Sequence, residues 1–252
     1  MSAPNTQQQK SFNVLLIGDN CTDVYQYGTV DRISPEAPVP VFVPTYMEQR
    51  EGMAGNVYAN LVVLGCKVNF LTGHASKKTR LIDQRSRQQI ARIDEDVQST
   101  AIAFDTAIPP IYDAIVVSDY NKGVVSYELI EEILNEVNCP VFIDTKKTDL
   151  ERMQGAWVKI NELEYSKIKS DCTGLIVTRG ARGAEVIYHN IHELAPAVEV
   201  VDVTGAGDTF LAALAYQYLV TKDIKSAVVF ANRAAGITVQ HLGVYAPTLN
   251  EI

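Results

Sequence analysis

Positive charge is what this sequence has least of: 22 Lys and Arg stand against 30 Asp and Glu, a net charge of −8. A broad nucleic-acid or membrane surface needs a positive field, so both partner classes are excluded and any phosphate site must be local. Cysteine is scarce too. Cys21, Cys66, Cys139 and Cys172 show no C-x-x-C spacing and lie among apolar or loop residues, which predicts free thiols and excludes a zinc or disulfide framework. The histidines, His74, His189, His192 and His241, are too scattered for a metal cluster. No apolar run reaches the roughly 18 residues a membrane helix needs, and no signal peptide opens the chain, so a cytoplasmic protein is expected.

What is present is ordinary globular material, 252 residues at 47% hydrophobic and 21% charged. Residues 1 to 10, MSAPNTQQQK, carry no pattern and are expected to be a disordered tail, with 11 to 252 as one folded domain. Val14 to Ile17, closed by Gly18, is a continuous apolar run of the kind buried on both faces of a parallel sheet. Further strands are expected at 68–71, 114–117, 140–143, 157–160 and 174–178, with a hairpin over 186–194. Helices are expected from Gly52 to Leu64, from Ser126 to Val137, from Ala206 and from Ile224 to Val239. Alternation of this kind predicts an α/β fold with right-handed crossovers and a mostly parallel sheet. Pro35, Pro38, Pro40 and Pro44 interrupt YQYGTVDRISPEAPVPVFVPTY and forbid a helix there. A projecting edge hairpin is expected instead, its apolar face covered by substrate or by a second subunit.

The densest signal is Asp202 to Phe210, DVTGAGDTF. Val198, Val200, Val201 and Val203 favour an extended strand, and Phe210, Leu211, Leu214 and Tyr218 recur at helical spacing. A strand is therefore expected to feed a helix through Gly205 and Gly207. The first N–H groups of a helix have no internal partner and attract phosphate, and Asp208 in that first turn is favoured as an ionised base. Asp19 and Asp23 follow the first strand, where open α/β sheets bind ligands, and are candidates for hydrogen bonding a polyol. Lys146 follows another strand and is a candidate for phosphate. In an otherwise acidic protein Arg80, Arg87 and Arg92 are candidates to hold a phosphorylated sugar. Asn161 and Glu164 are spaced either for a water-bridged Mg²⁺ or for a helix capping box.

DVTGAGDTF resembles the signature of the ribokinase-like (PfkB) family of carbohydrate kinases, and SDYNKG at 118–123 and the N-x-x-E at 161–164 are similar to further motifs of that family. GDNCTDVYQYGTVDRISPEAPVPVF resembles the family's heptose 7-phosphate kinases most closely. The resemblance runs from Phe12 to the C-terminus. It departs at Met53, where GMAGN stands for the usual GGAAN, a change expected to narrow the site or alter the sugar accepted. It is also shortened between Gly73 and Lys77 and after Lys169, and no counterpart of the nucleotidyltransferase domain that follows in some relatives is expected.

The resemblance implies a three-layer α/β/α sandwich with a β lid over about 25–46 and 78–94, and a homodimer clasped through that lid. It implies transfer of the ATP γ-phosphoryl group to a sugar hydroxyl, O1 of D-glycero-D-manno-heptose 7-phosphate, with Mg²⁺ and a monovalent cation. Asp208 is then the base and Gly205, Ala206 and Gly207 the anion hole. Sugar contacts are expected at Asp19, Asp23, Gly52, Asn56, Arg80, Arg87 and Arg92. Nucleotide contacts are expected at Lys146, Asn161, Thr178, Arg179, Gly180, Thr204, Gly205, Gly207 and Asn232, and Mg²⁺ through water at Asn161 and Glu164. The alternatives are a kinase for a hexose, fructose phosphate or nucleoside, or a sugar- or nucleotide-binding protein whose catalysis the two deletions have weakened.

Overall fold

The computed structural model describes residues 11–103 and 112–252, so the tail expected over 1–10 lies outside the described residues. In chain order β1 (Asn13–Gly18) leads to the long lid strands β2 (Asn20–Ile33) and β3 (Pro40–Met53), then α1 (Ala54–Val63) and β4 (Lys67–Thr72). The lid is completed by β5 (Ser76–Asp83) and β6 (Gln89–Glu95). The body then continues with β7 (Ala114–Asp119), α2 (Tyr127–Glu136), β8 (Val141–Thr145), β9 (Trp157–Asn161), the short α3 (Glu162–Tyr165) and β10 (Leu175–Thr178). It closes with β11 (Ala184–Val186), β12 (Ile191–Glu193), α4 (Ala206–Thr221) and α5 (Ile224–Thr238).

Eight strands form the main sheet in the order β12-β11-β10-β9-β8-β7-β1-β4, parallel from β10 to β4, with antiparallel β11 and β12 at one edge. The alternate residues of each strand explain the layers. Leu16, Val116 and Phe142 face α1, α4 and α5, while Leu15, Ile17, Ile115 and Val158 face α2 on the other side. Strands buried on both faces need apolar residues at every position, which is why they read as continuous runs. From β1 the chain goes first to β4 and later to β7 on the opposite side, so strand order reverses at β1. Ligands bind at such a reversal, beyond the carboxyl ends of the strands. Asp19 and Tyr120 follow the two strands that flank it.

The lid is a separate sheet, ordered β3-β2-β5-β6. Its strands extend further than 25–46, because β2 and β3 stay paired from Asn20↔Met53 to Ile33↔Pro40. Only Gly73, His74 and Ala75 join β4 to β5, which pairs in parallel with β2 from Cys21↔Ser76 onward.

Two local expectations fail. The valines before DVTGAGDTF form no strand: Val200, Val201 and Val203 are exposed, and the amides of Val201 and Asp202 bond to the Val239 carbonyl at the end of α5. With its hydrogen bonds directed at a helix end, the segment has no ladder to join. The late hairpin forms, but from 184–186 and 191–193, with a helical turn at 187–189 between them.

Candidate active site

The N-terminus of α4 sets the site. Gly205 is the helix cap with φ 79°, a left-handed conformation, and no side chain caps the first turn. A Cβ at Gly205 would stand 2.6 Å from Asn56 Nδ2. Glycine here therefore lets the turn close against α1 and leaves the helix end open to an anion.

Asp208 lies in that first turn and is 4% exposed. Its carboxylate accepts from two directions: Tyr120 Oη at 2.7 Å on Oδ1, and Asn56 Nδ2 at 3.0 Å on Oδ2. Burial pushes its pKa up to about 6, although those two donors and Lys159 pull it down. Desolvation thus outweighs the helix end, contrary to the expectation that the turn alone favours the ionised form. Near neutral pH the group is still mostly ionised and able to accept a proton.

Beneath the turn sits a charge pair that sequence reasoning did not assign. Lys159 Nζ lies 2.6 Å from Asp144 Oδ2, both buried, and a Cβ on Gly207 would stand 2.9 Å from that ammonium. Burial raises the Asp144 pKa against the opposing pull of Lys159. The available signal was an isolated lysine inside the apolar strand WVKIN, since lysine is almost never fully buried unless paired.

Asn161 and Glu164 form a complete capping box on α3: Asn161 Oδ1 accepts from the Glu164 amide at 2.9 Å, and Glu164 Oε2 accepts from the Asn161 amide at 2.7 Å. Glu164 also pairs with Lys146. Burial pulls the Lys146 pKa down, but the bond to Glu164 and the charges of Asp144, Glu164 and Asp208 hold it above its ordinary value. Among the described residues no three acidic, His or Cys side chains converge as a metal site.

An apolar cavity of about 390 Å³ opens beside the turn, lined by Thr178, Gly180, Val198, Ala206, Gly207, Phe210 and Asn232 among others. Of the nucleotide candidates, Thr178, Gly180, Gly207 and Asn232 line it, with Ala206 of the anion hole beside them. Arg179 does not; its guanidinium is turned onto Glu185 and Glu162. Thr204 donates through both its amide and hydroxyl to Asp202.

On the lid side, Asp23 pairs with Arg80 at 3.2 Å, and a Cβ at Gly52 would stand 2.2 Å from Asp23 Oδ2, so glycine is what admits that carboxylate. Cys21 lies beside Asp23, its thiol pushed up to about 12 by burial, then by the Asp23 charge. Met53 occupies φ 52°, the left-handed region that costs a non-glycine residue roughly 1–2 kcal/mol, where the family pattern has glycine.

Three sugar candidates have other roles. The Asp19 carboxylate is filled by the backbone N–H groups of Tyr120, Lys122 and Val124, at 2.8, 3.0 and 3.1 Å, so it clamps a loop and has little left for a polyol. Arg87 is exposed in the turn between β5 and β6, and Arg92 is exposed and paired with Asp94. Arg87 precedes β6 in the connecting turn, and β6 is the edge strand of the lid, separated from β2 by β5. Tyr120, by contrast, reaches the centre of the site. Its signal was its place in SDYNKG at the end of the strand beside β1.

A family profile described as pfkB family carbohydrate kinase matches residues 126–251. The chain is 35% identical to the bifunctional protein HldE of Nitratiruptor sp. over 298 aligned positions, covering 95% of this chain and 64% of that protein. It is 34% identical to HldE of Vibrio parahaemolyticus, covering 99% of this chain and again 64% of the relative. The chain therefore spans under two thirds of the curated relatives it matches. The 298 positions exceed its own 252 residues, so the relative carries residues that this chain lacks. Solved folds agree: ribokinase from Thermotoga maritima superposes with a TM-score of 0.71 at 18% identity, covering 95% of this chain and 97% of that one. Phosphofructokinase-2 from Escherichia coli gives 0.71 at 14% identity, covering 96% and 97%. The fold and the site define a carbohydrate kinase. The chain belongs to the pfkB family.

Proposed function

We propose that this kinase transfers the γ-phosphoryl group of ATP to a sugar hydroxyl, O1 of a heptose 7-phosphate. The observation that carries the reading is Asp208, buried and ionisable, at an uncapped helix N-terminus beside an apolar cavity. Asp208 takes the hydroxyl proton as the oxygen attacks phosphorus. The amides of Gly205, Gly207 and Asp208 and the Lys159 ammonium below them stabilise charge on the transferring group, while the Ala206 amide donates to the Val203 carbonyl at 3.3 Å. The apolar cavity suits the nucleotide base. The choice of heptose phosphate rests on the similarity to HldE proteins and on Arg80 beside Asp23, a cation at the sugar side of an acidic chain.

Mg²⁺ fits only as an ion held mainly by ATP phosphates and water, because among the described residues no three acidic, His or Cys side chains converge, and the Glu164 carboxylate is partly taken up by Lys146 and the Asn161 amide. When bound it would neutralise phosphate charge, with Glu164 and Asn161 meeting its waters. Asp202 ties the catalytic turn to the loop after α5. Its oxygens already accept from Thr204 and Gly243, and Arg50 donates to the Leu242 and Val244 carbonyls of the same loop. A homodimer through the lid is part of this proposal, supported by exposed Ile33, Val39, Val43, Tyr46, Met47 and Ile93.

The test is ADP release with ATP, Mg²⁺ and a panel of sugars including heptose 7-phosphate. Release with the heptose phosphate above all others is expected. Release only with a free hexose or nucleoside refutes the substrate, and ligand-induced thermal shifts without ADP refute the enzyme.

A further inference from the structure

The kinase reading gives Asp208 a task and leaves Tyr120 without one. We infer that Tyr120 is the positioning residue of the base: its phenol O–H, aimed by a loop that Asp19 clamps, fixes the Asp208 carboxylate for proton transfer. The inference rests on the proposed kinase reaction.

The loop after β7 is held with unusual completeness. Asp19 Oδ2 accepts from the Tyr120 and Lys122 amides and Oδ1 from the Val124 amide, while the Asp19 amide donates to the Ser118 carbonyl at 3.1 Å. Asp119 adds a bond from the Asn121 amide at 2.9 Å, and Asn121 adopts φ 58°. Two carboxylates from neighbouring strand ends thus fix a five-residue turn, and the side chain that turn delivers inward is Tyr120. Its hydroxyl reaches across to Asp208 Oδ1 at 2.7 Å, while Asn56 holds Oδ2 from α1. With one donor on each oxygen the carboxylate cannot rotate, and each oxygen keeps a second lone-pair direction for substrate.

Among the described residues no other side chain donates a hydrogen bond to Asp208. Asp144 and Lys159 face it from β8 and β9 as a mutually bonded pair, and Lys146 lies over the Tyr120 ring at 5.3 Å. The Cys21 thiol faces it from β2. Burial, and then the Asp208 and Asp144 charges, keep the Tyr120 phenol protonated well above its ordinary value, so it remains a donor throughout the range in which Asp208 changes charge. A donor to the ionised form favours that form, so losing it makes the base titrate higher.

Tyr120→Phe removes one oxygen and keeps the ring. Carboxyl carbon NMR titration of the full chain reads the Asp208 midpoint directly, with Asp208→Asn assigning its resonance and the remaining aspartate signals reporting the fold. The midpoint is expected to rise by about one pH unit, the size expected for one bond to a charged acceptor. In ADP release with heptose 7-phosphate the acid limb of kcat/KM rises with it, and both KM values stay within twofold. An unshifted Asp208 midpoint in Tyr120→Phe, with Asp208→Asn inactive, overturns this inference alone. An Asp208→Asn variant as active as wild type overturns Asp208 as the base and this inference together, whereas absence of ADP release by the wild type with every sugar overturns the kinase reading.

Discussion

Replacing Asp208 by Asn should abolish turnover and yet stabilise the folded chain at neutral pH. The carboxylate is 4% exposed, and burial lifts its pKa from an ordinary 3.8 to about 6. Each unit of that rise corresponds to about 1.4 kcal/mol, so holding the buried charge costs the folded state roughly 3 kcal/mol. Because the folded value lies above the unfolded one, this cost is fully present above about pH 6 and disappears as pH falls toward 3.8. Asn removes the charge but offers one acceptor where Tyr120 and Asn56 supply two donors, which reduces the gain at pH 7 to about 1–2 kcal/mol. Urea unfolding of both proteins between pH 4 and 8 measures it. With that deduction constant, the gain should fall to about zero near pH 5 and turn into a loss of roughly 1 kcal/mol near pH 4. ADP release should fall by about 10²–10⁴ in the same variant. A gain independent of pH, or none at pH 7 and 8, would refute the claim that Asp208 is held as a buried charge.

Lys159→Met leaves Asp144 buried and unpaired and should cost about 3–5 kcal/mol in urea unfolding, whereas Lys159→Met with Asp144→Leu should recover most of that stability without recovering activity. Gly205→Ala places a methyl 2.6 Å from Asn56 Nδ2 at φ 79°, so a loss of about 1–2 kcal/mol is expected, together with a fall in kcat as Asn56 leaves Asp208; full retention of kcat would show that the turn has room to spare. If the lid joins two copies, Val43→Asp with Met47→Asp should turn a dimer into a monomer by sedimentation at micromolar concentration, and a wild-type monomer there would count against the clasp.

Local chemistry made much of this protein legible before any coordinates. Continuous apolar runs such as Val14 to Ile17 suit strands buried on both faces, and the glycines and acid of DVTGAGDTF mark a helix start of the kind that attracts anions. The valines at 198–203 misled because β propensity was read without knowing whether a ladder lay alongside, and none does. Arg80, Arg87 and Arg92 looked equivalent in sequence. Arg80 and Arg92 are register partners on one face of the lid, but only β5 lies beside β2, so Arg80 reaches Asp23 while Arg92 on the edge strand pairs with Asp94 and Arg87 sits in a turn.

The sequence by itself determined the class of fold, the helix that presents Asp208 and the kind of reaction that such a turn serves, because these depend on residues close together along the chain. Tertiary structure alone decided the surroundings of that acid. Tyr120 stands 88 positions away, Asn56 stands 152 away, and the Lys159–Asp144 pair lies beneath the turn. Asp19 likewise changed from a sugar candidate to a clamp once three amides from 120–124 were found on its oxygens. A carboxylate's partners and its pKa depend on which distant donors and which apolar walls the fold brings to it, and no local pattern carries that information.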